Sequence, residues 1–248
     1  MAKPLVCGDV DDVFEKACET DLFGKVDQLG VTRDDRVIGV CAGPVPPGVT
    51  LGAAMEPLRS DMLVSANTPV LGLFGEWKHH FYLVVEGTDF VGIVTPSDLN
   101  RVPVYASLYD VLASYEERLT QFLEAELKSQ NDCLNHLSAE EQEKTLTLFD
   151  KLKSRNLEIN LVRALPLGLK HKVLLKVRAD EGIGKLTAPI TKLRNKIAHL
   201  TPFIEAAEDV RAVANSLGSI SLMERKLDGW LEIRSPDRRG DFGGVTMV

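Results

Sequence analysis

The chain of 248 residues has no stretch approaching the roughly 18 consecutive apolar residues of a membrane helix. Met1-Ala2-Lys3-Pro4 runs into Asp9, Asp11 and Asp12 almost at once, which leaves no room for the apolar core of a signal peptide. The expectation is a cytoplasmic protein. Cysteine is scarce: four residues, at 7, 18, 41 and 133, with no CxxC pair and no histidine at zinc-ligand spacing. Neither a disulfide framework nor a zinc site follows, and buried thiols in a reducing compartment are expected. Aromatic residues make up only 6%. No glycine occurs between Gly92 and Gly168.

Positive charge is also in deficit, at a net −7, but it is unevenly spread. Residues 151–200 hold 12 Lys/Arg and 3 Asp/Glu, a local +9, which leaves −16 elsewhere. Such a field can attract a phosphate backbone, or it can be a solvated basic face without a partner.

The pattern divides the chain into residues 1–109, residues 110–232 and a Gly/Arg/Asp-rich tail at 233–248. The first part reads as α/β. A helix is expected over roughly Asp11 to Leu29, with Val13, Phe14, Ala17 and Leu22 inward. A short strand follows at Val37 to Cys41, then a helix near Pro69 to Trp77. Strands at Phe81–Val85 and Phe90–Val94 are joined by Glu86-Gly87-Thr88-Asp89, a hairpin turn. From about residue 106 the apolar period becomes helical, through Leu108, Leu112, Tyr115, Leu119, Phe122, Leu123 and Leu127. Ser138 to Glu141 is a capping box opening a helix to about Arg155. Further helices are expected over Asn160–Arg178, broken at Pro166 to Gly168, from Pro189 to Leu200, and from Ile204 to Leu217 with Gly218 as its C-cap. The fold class is therefore α+β: an α/β module followed by an all-α bundle.

Two segments carry chemistry. In the helical part, Ile190, Leu193, Ile197 and Leu200 form an apolar stripe beside Lys192-Leu193-Arg194-Asn195-Lys196-Ile197-Ala198-His199. Arg194 and His199 are five residues apart, about 140° around a helix and about 7.5 Å along it. The spacing suits an ordinary helix, and it also suits metal-free RNA cleavage. An imidazole titrates near neutrality and can take a ribose 2′-hydroxyl proton or protonate the leaving oxygen. A guanidinium can hold the phosphate, and Asn195 can orient it. In the α/β part, Thr95-Pro96-Ser97-Asp98 follows an apolar strand. That turn either caps a helix through Thr95 or Ser97, with Asp98 at its positive end, or offers a hydroxyl to a phosphate and a carboxylate to a ribose. His171 sits in the basic helix as a weaker RNA contact. Trp77 and Trp230 read as packing residues, and His79-His80 as a surface or edge pair.

The Leu193–His199 segment resembles the R-polar-xxx-H signature of HEPN domains, over about residues 110–232. That resemblance implies an all-α bundle acting as a homodimer. It further implies a ribonuclease that needs no metal or other cofactor and leaves 2′,3′-cyclic phosphate ends, with Arg194, Asn195 and His199 as its catalytic residues. Lys170, Lys172, Lys176, Arg178, Lys192 and Lys196 are the candidate RNA-backbone contacts. Residues 55–115 look like a CBS motif, opening at Met55-Glu56-Pro57, with a shortened first copy within residues 9–54 that lacks the Thr and Asp. This implies a degenerate pair in which Thr95 touches the phosphate and Asp98 the ribose of an adenine nucleotide. The expected function is an RNA endonuclease or RNA-binding effector governed by a nucleotide-sensing module. The alternative is a non-catalytic, nucleotide-responsive regulator that dimerises or docks a protein partner.

Overall fold

The computed structural model describes residues 7–9, 11–12, 28–42, 45–155, 157–178, 181–199 and 202–234. The chain is mixed α+β and divides into two compact units. The first comprises residues up to Arg101 together with Ile204–Val210, and the second comprises Val102–Phe203 with the residues from Arg211 onward.

The first unit contains two small sheets of the same design. In one, strand β1 (Cys7–Asp9) runs parallel to β2 (Gln28–Arg33), which pairs antiparallel with β3 (Arg36–Ala42); the short β4 (Glu56–Pro57) closes the edge. In the other, β5 (Leu63–Ser65) runs parallel to β6 (Tyr82–Glu86), which pairs antiparallel with β7 (Asp89–Val94). Each hairpin closes with two residues. Asp34 and Asp35 both take positive φ, 51° and 60°, as a type I′ turn requires. Gly87, at φ 62°, opens the expected second hairpin. The parallel–antiparallel pattern occurs twice although the two sequences share little.

The expected helix from Asp11 to Leu29 is corrected at its end: Gln28 and Leu29 lie in β2, and Leu29 is core. Val13, Phe14, Ala17 and Leu22 lie outside the described residues. Gly39 has a physical reason. A Cβ there would stand 2.7 Å from the Glu56 carbonyl oxygen and 2.6 Å from the Met55 sulfur, so β4 can pair with β3 only because residue 39 has no side chain. Two apolar clusters hold the unit: Leu29, Val31, Cys41, Val45 and Leu51, and Val40, Met62, Phe81, Leu83 and Ile93. Leu51 begins the one-turn helix α1 (Leu51–Ala54), and α2 (Val70–Glu76) joins β5 to β6. Cys41 and Cys133 are buried as expected, whereas Cys7 is exposed. Cys18 lies outside the described residues.

The second unit is built on α3 (Val102–Glu126), whose expected apolar stripe is buried at Leu108, Leu112, Tyr115, Leu119, Phe122 and Leu123. Around it stand α4 (Ala139–Lys153), α5 (Leu161–Ala164), α6 (Leu167–Val177), α7 (Glu181–Ala198) and α8 (Ala207–Arg234). Ser138 accepts from the Glu141 N–H, and Glu141 accepts from the Ser138 N–H at 2.8 Å, which is the capping box legible in the sequence.

Two helix boundaries differ from expectation. Helix α7 starts at Glu181 and runs through Pro189. Ile183 and Ile190 are both fully buried, and that packing outweighs the lost proline N–H. Ser216 donates to the Pro189 carbonyl at 3.3 Å. Helix α8 continues through Gly218, because Ile220, Met223 and Leu227 beyond it are core residues. Among the described residues, no helix is long and apolar enough to cross a membrane.

Candidate functional site

In the first unit, Thr95 follows β7 and caps a 3-10 turn at Pro96–Asn100. The Asp98 carboxylate is 1% exposed. Its Oδ2 accepts from the Thr95 N–H at 3.0 Å and from the Thr95 hydroxyl at 2.7 Å. Its Oδ1 meets the Arg101 guanidinium at 2.9 Å. Both residues singled out for nucleotide contact are therefore brought together, but onto each other. As placed, Asp98 turns no oxygen outward, and a ribose could reach it only after the turn opened. A cleft of about 440 Å³ is lined by Val64, Ser65, Thr68, Val84, Val91 and Val94, and neither Thr95 nor Asp98 lines it. Val91 is exposed in it.

Trp77 is buried with its ring edge against Tyr82. The half-buried His79 also meets Tyr82 edge-to-face and faces Asp61, while His80 is exposed. These are the packing and surface roles expected of them.

In the second unit, α7 presents Arg194 and Asn195 on its exposed side, and His199 stands exposed one residue past its end. The apolar stripe beside this segment faces the interior. Ile190, Leu193 and Ile197 are buried within the chain itself, at 0%, 3% and 3% exposure. Leu200 lies outside the described residues.

The six candidate RNA-contacting cations divide sharply. Lys170 is 3% exposed and gives its ammonium to Glu116 at 2.7 Å, so it is an internal ion pair and not a surface charge. Lys172 pairs with Glu141 at 2.5 Å, and this bond with the cap donors holds the Glu141 carboxyl down at about 2. Arg178 pairs with Glu126 at 3.1 Å and lies over the Phe122 and Trp230 rings. Lys196 is half-buried over Phe203, at 5.0 Å. Lys176 and Lys192 are exposed and pair with no carboxylate among the described residues. Of these six cations, Lys170 and Arg178 thus pair with carboxylates of α3 and Lys172 with one of α4.

His171 is corrected as an RNA contact, since it is buried at 3% exposure. Its Nδ1 stands 2.8 Å from the Thr191 hydroxyl and its Nε2 2.8 Å from the Tyr115 hydroxyl. Thr191 donates onward to the Thr187 carbonyl, so it accepts from Nδ1–H. Nε2 then accepts from Tyr115, and one neutral tautomer satisfies the whole chain. Burial, with the Lys170 charge beside it, lowers the His171 pKa to about 4. Burial also pushes the Tyr115 phenol upward.

Sequence reasoning missed the residues that surround Arg194. A cleft of about 320 Å³ opens between α3, α5, α6 and α7. Its floor is Leu112, Ala113 and Ile197, with Tyr109 exposed at its rim. Its polar groups are Glu116, Glu117, Thr120, Arg163, Lys170 and Arg194. Arg163 forks onto both oxygens of Glu117, each at 3.0 Å, and lowers that carboxyl. Arg163 also bonds Glu124 at 3.1 Å, so Arg163 and Lys170 hold the carboxylates here, and none among the described residues pairs with Arg194. Ala198, the residue before His199, also lines the cleft. The only signal in the sequence was Glu116-Glu117, adjacent acids on a helix that otherwise buries its stripe.

Among the described residues, no cluster of three or more His, Cys, Asp or Glu side chains is arranged to hold a metal. No family model matches the chain, and no curated protein matches it.

Proposed function

We propose that the second unit is a HEPN-type endoribonuclease that works without metal, and that the first is a CBS-like module whose adenine-nucleotide ligand regulates it. One observation carries the ribonuclease reading: Arg194 lines a cleft whose two lining carboxylates are paired with other cations, and Asn195 and His199 are exposed at the same end of α7. An arginine whose carboxylates are taken by other cations is poised for a phosphate. In the proposed reaction the ribose 2′-oxygen attacks phosphorus and the bond to the 5′-oxygen breaks. The 2′-hydroxyl proton passes to a neutral imidazole, and a protonated imidazole supplies a proton to the leaving oxygen. Two copies of His199 suit these two roles, so the working form is a homodimer. Its contact surface is not the α7 stripe, which is core.

The sensor reading is supported by the repeated parallel–antiparallel strand pattern of the first unit and by the valine-lined cleft on its second sheet. Lys176 and Lys192 are the exposed cations that fit RNA-backbone attraction.

The test is incubation of the purified protein with total RNA in EDTA, beside His199→Ala. Fragments ending in 2′,3′-cyclic phosphate, lost in the variant, are the expected result. Cleavage that survives His199→Ala, or that EDTA abolishes, overturns the mechanism. For the sensor, ATP, ADP or AMP at millimolar level should raise the melting temperature by mass action. A melt unmoved by all three overturns that part.

A further inference from the structure

The cleft beside Arg194 has more in it than a phosphate requires. It is concave, about 320 Å³, at the small end of the range for ligand pockets, which fits one nucleotide and not a stretch of strand. Its floor is apolar, and an aromatic ring, 66% exposed, stands at its rim. Its acidic groups are fixed by internal partners. Glu116 gives one oxygen, Oε1, to the buried Lys170 ammonium at 2.7 Å. Among the described residues its Oε2 meets no donor, and Glu116 lines the cleft. Glu117 is anchored by the Arg163 fork and adds a second negative charge on the same wall. Thr120 donates to the Glu116 carbonyl, which fixes its hydroxyl away from the ligand.

An apolar slot, a rim ring, a fixed carboxylate oxygen and one spare guanidinium describe a receptor for a flat ring that carries both N–H donors and a phosphate. The four nucleobases differ in what they offer a carboxylate. Guanine presents two adjacent donors, its N1–H and its exocyclic amine. Adenine and cytosine present one amine next to a lone-pair nitrogen. Uracil presents one N–H between two carbonyls, which an anion repels. We infer that this cleft is a guanine-selective nucleotide subsite, with Glu116 reading the base, Tyr109 stacking on it and Arg194 holding its phosphate. The inference rests on the ribonuclease reading for its substrate class, and makes that enzyme selective for guanosine at the cleaved step. The same chemistry could be offered by a free guanosine nucleotide, so binding is tested with both forms.

The experiment is equilibrium binding to the intact protein of 5′-GMP, 5′-AMP, 5′-CMP and 5′-UMP, and of 2′-O-methyl oligoribonucleotides with and without a single G. None of these probes can be cleaved at the modified sugar. Expected is a preference for GMP of about tenfold or more, the discrimination typical of a carboxylate or guanidinium reading a base edge. Tyr109→Ala, on an exposed side chain, should weaken GMP binding by about 5- to 100-fold through lost stacking. Glu116→Gln keeps an oxygen for Lys170 but turns an N–H₂ toward the guanine donors, and should erase the preference. A melting curve reports whether that variant is folded, and the wild-type ranking decides the question even where it is not. Equal affinity for all four mononucleotides overturns the inference, whether or not RNA is cleaved. GMP preference without any RNA cleavage keeps the guanine site and removes the ribonuclease reading. GMP preference with no added affinity for the G-containing oligomer assigns the site to a free nucleotide and likewise removes the RNA substrate. Cleavage 3′ of G, absent from G-free RNA, supports both.

Discussion

The turn at Thr95–Asp98 and the end of α7 carry motifs of similar length and similar polarity, yet they use their side chains in opposite ways. In the turn the carboxylate looks inward: Asp98 takes two bonds from Thr95 and an ion pair from Arg101 and is 1% exposed. At the end of α7 the apolar residues look inward and the polar ones are left open, with Arg194, Asn195 and His199 all exposed. A motif read from sequence names residue types and spacing. It does not say whether those residues satisfy each other. Where they do, the motif is first of all a piece of local structure; where they do not, the open valence asks for a partner.

Breaking the open motif should change activity without changing the fold, and this is the largest effect expected. His199→Ala should lower RNA cleavage by about 10²–10⁴-fold, the usual loss of a general acid–base group, with the melting temperature unchanged because the side chain is exposed. A large fall in melting temperature would show that His199 is structural after all. Breaking an internal pair should do the reverse. Lys170→Ala strands Glu116 beside a buried cavity and should destabilise the second unit by roughly 3 kcal/mol, read by urea denaturation. Stability within 0.5 kcal/mol of wild type, on the order of a surface substitution, would mean that the pair is not held as described.

The buried imidazole gives the comparison a pH axis. His171 titrates near 4 in the fold and near 6.5 in the unfolded chain. The unfolded state therefore binds its proton first. The stabilisation by neutral His171 is fully present above about pH 6.5 and is lost as pH falls toward 4, by about 3 kcal/mol in all. Protonation would also put a second N–H against the Tyr115 hydroxyl, which already donates to Nε2. Melting temperature should fall over that window, and His171→Gln should flatten the fall. The same slope in both proteins would assign the acid sensitivity to other groups.

Asp98→Ala should come next, lowering stability by about 1–3 kcal/mol through the lost turn bonds and an Arg101 left without that carboxylate. Thr95→Val, which removes one hydroxyl and keeps the volume, should lose less. If Asp98→Ala melts like wild type, the inward geometry is wrong and the carboxylate is free for ligand.

How much of this was legible follows from which forces are local. Helix α4 was readable because Ser138 and Glu141 close a cap within four residues, and α3 because its buried stripe keeps a strict helical period. The hairpin at Gly87–Thr88 was readable from its glycine. The start of α7 and the continuation of α8 were not, since Pro189 is a local start signal and Gly218 a local stop signal, overridden by the packing of Ile183, Ile220 and Met223 at long range. Strand β2 was missed because Leu29 to Val31 carry an apolar run that also fits a helix end. In the candidate site, Arg194, Asn195 and His199 could be named from the likeness of their heptad to a known signature, which spacing alone would not have singled out. The role of Lys170 could not, because its partner Glu116 lies 54 residues earlier. Net charge along the chain counted Lys170, Lys172 and Arg178 as a field, whereas the fold pairs each with a distant acid.

That last point yields the smallest and most discriminating expectation. Each lysine that contributes an RNA-phosphate contact lowers the salt slope of binding by about one when removed. Lys192 is exposed on α7, two residues from Arg194, and no carboxylate among the described residues pairs with it. Lys172 has the same charge and lies on the neighbouring α6, but its ammonium is 2.5 Å from Glu141. Removing an already neutralised cation exposes its carboxylate and releases no counterion from RNA. Lys192→Ala should therefore reduce the slope of log affinity against log salt by about one unit, weakening binding several-fold at low salt. Lys172→Ala should leave the slope within error of wild type, with any loss of affinity independent of salt. Fluorescence anisotropy with a 2′-O-methyl oligoribonucleotide from 50 to 300 mM salt, a range chosen to span about one Debye-length regime, separates the two. Equal slope changes in both variants would mean that the Lys172–Glu141 pair opens on RNA and that the basic segment acts as one field. A change in Lys172→Ala alone would put the RNA on α6 rather than on the face that carries Arg194.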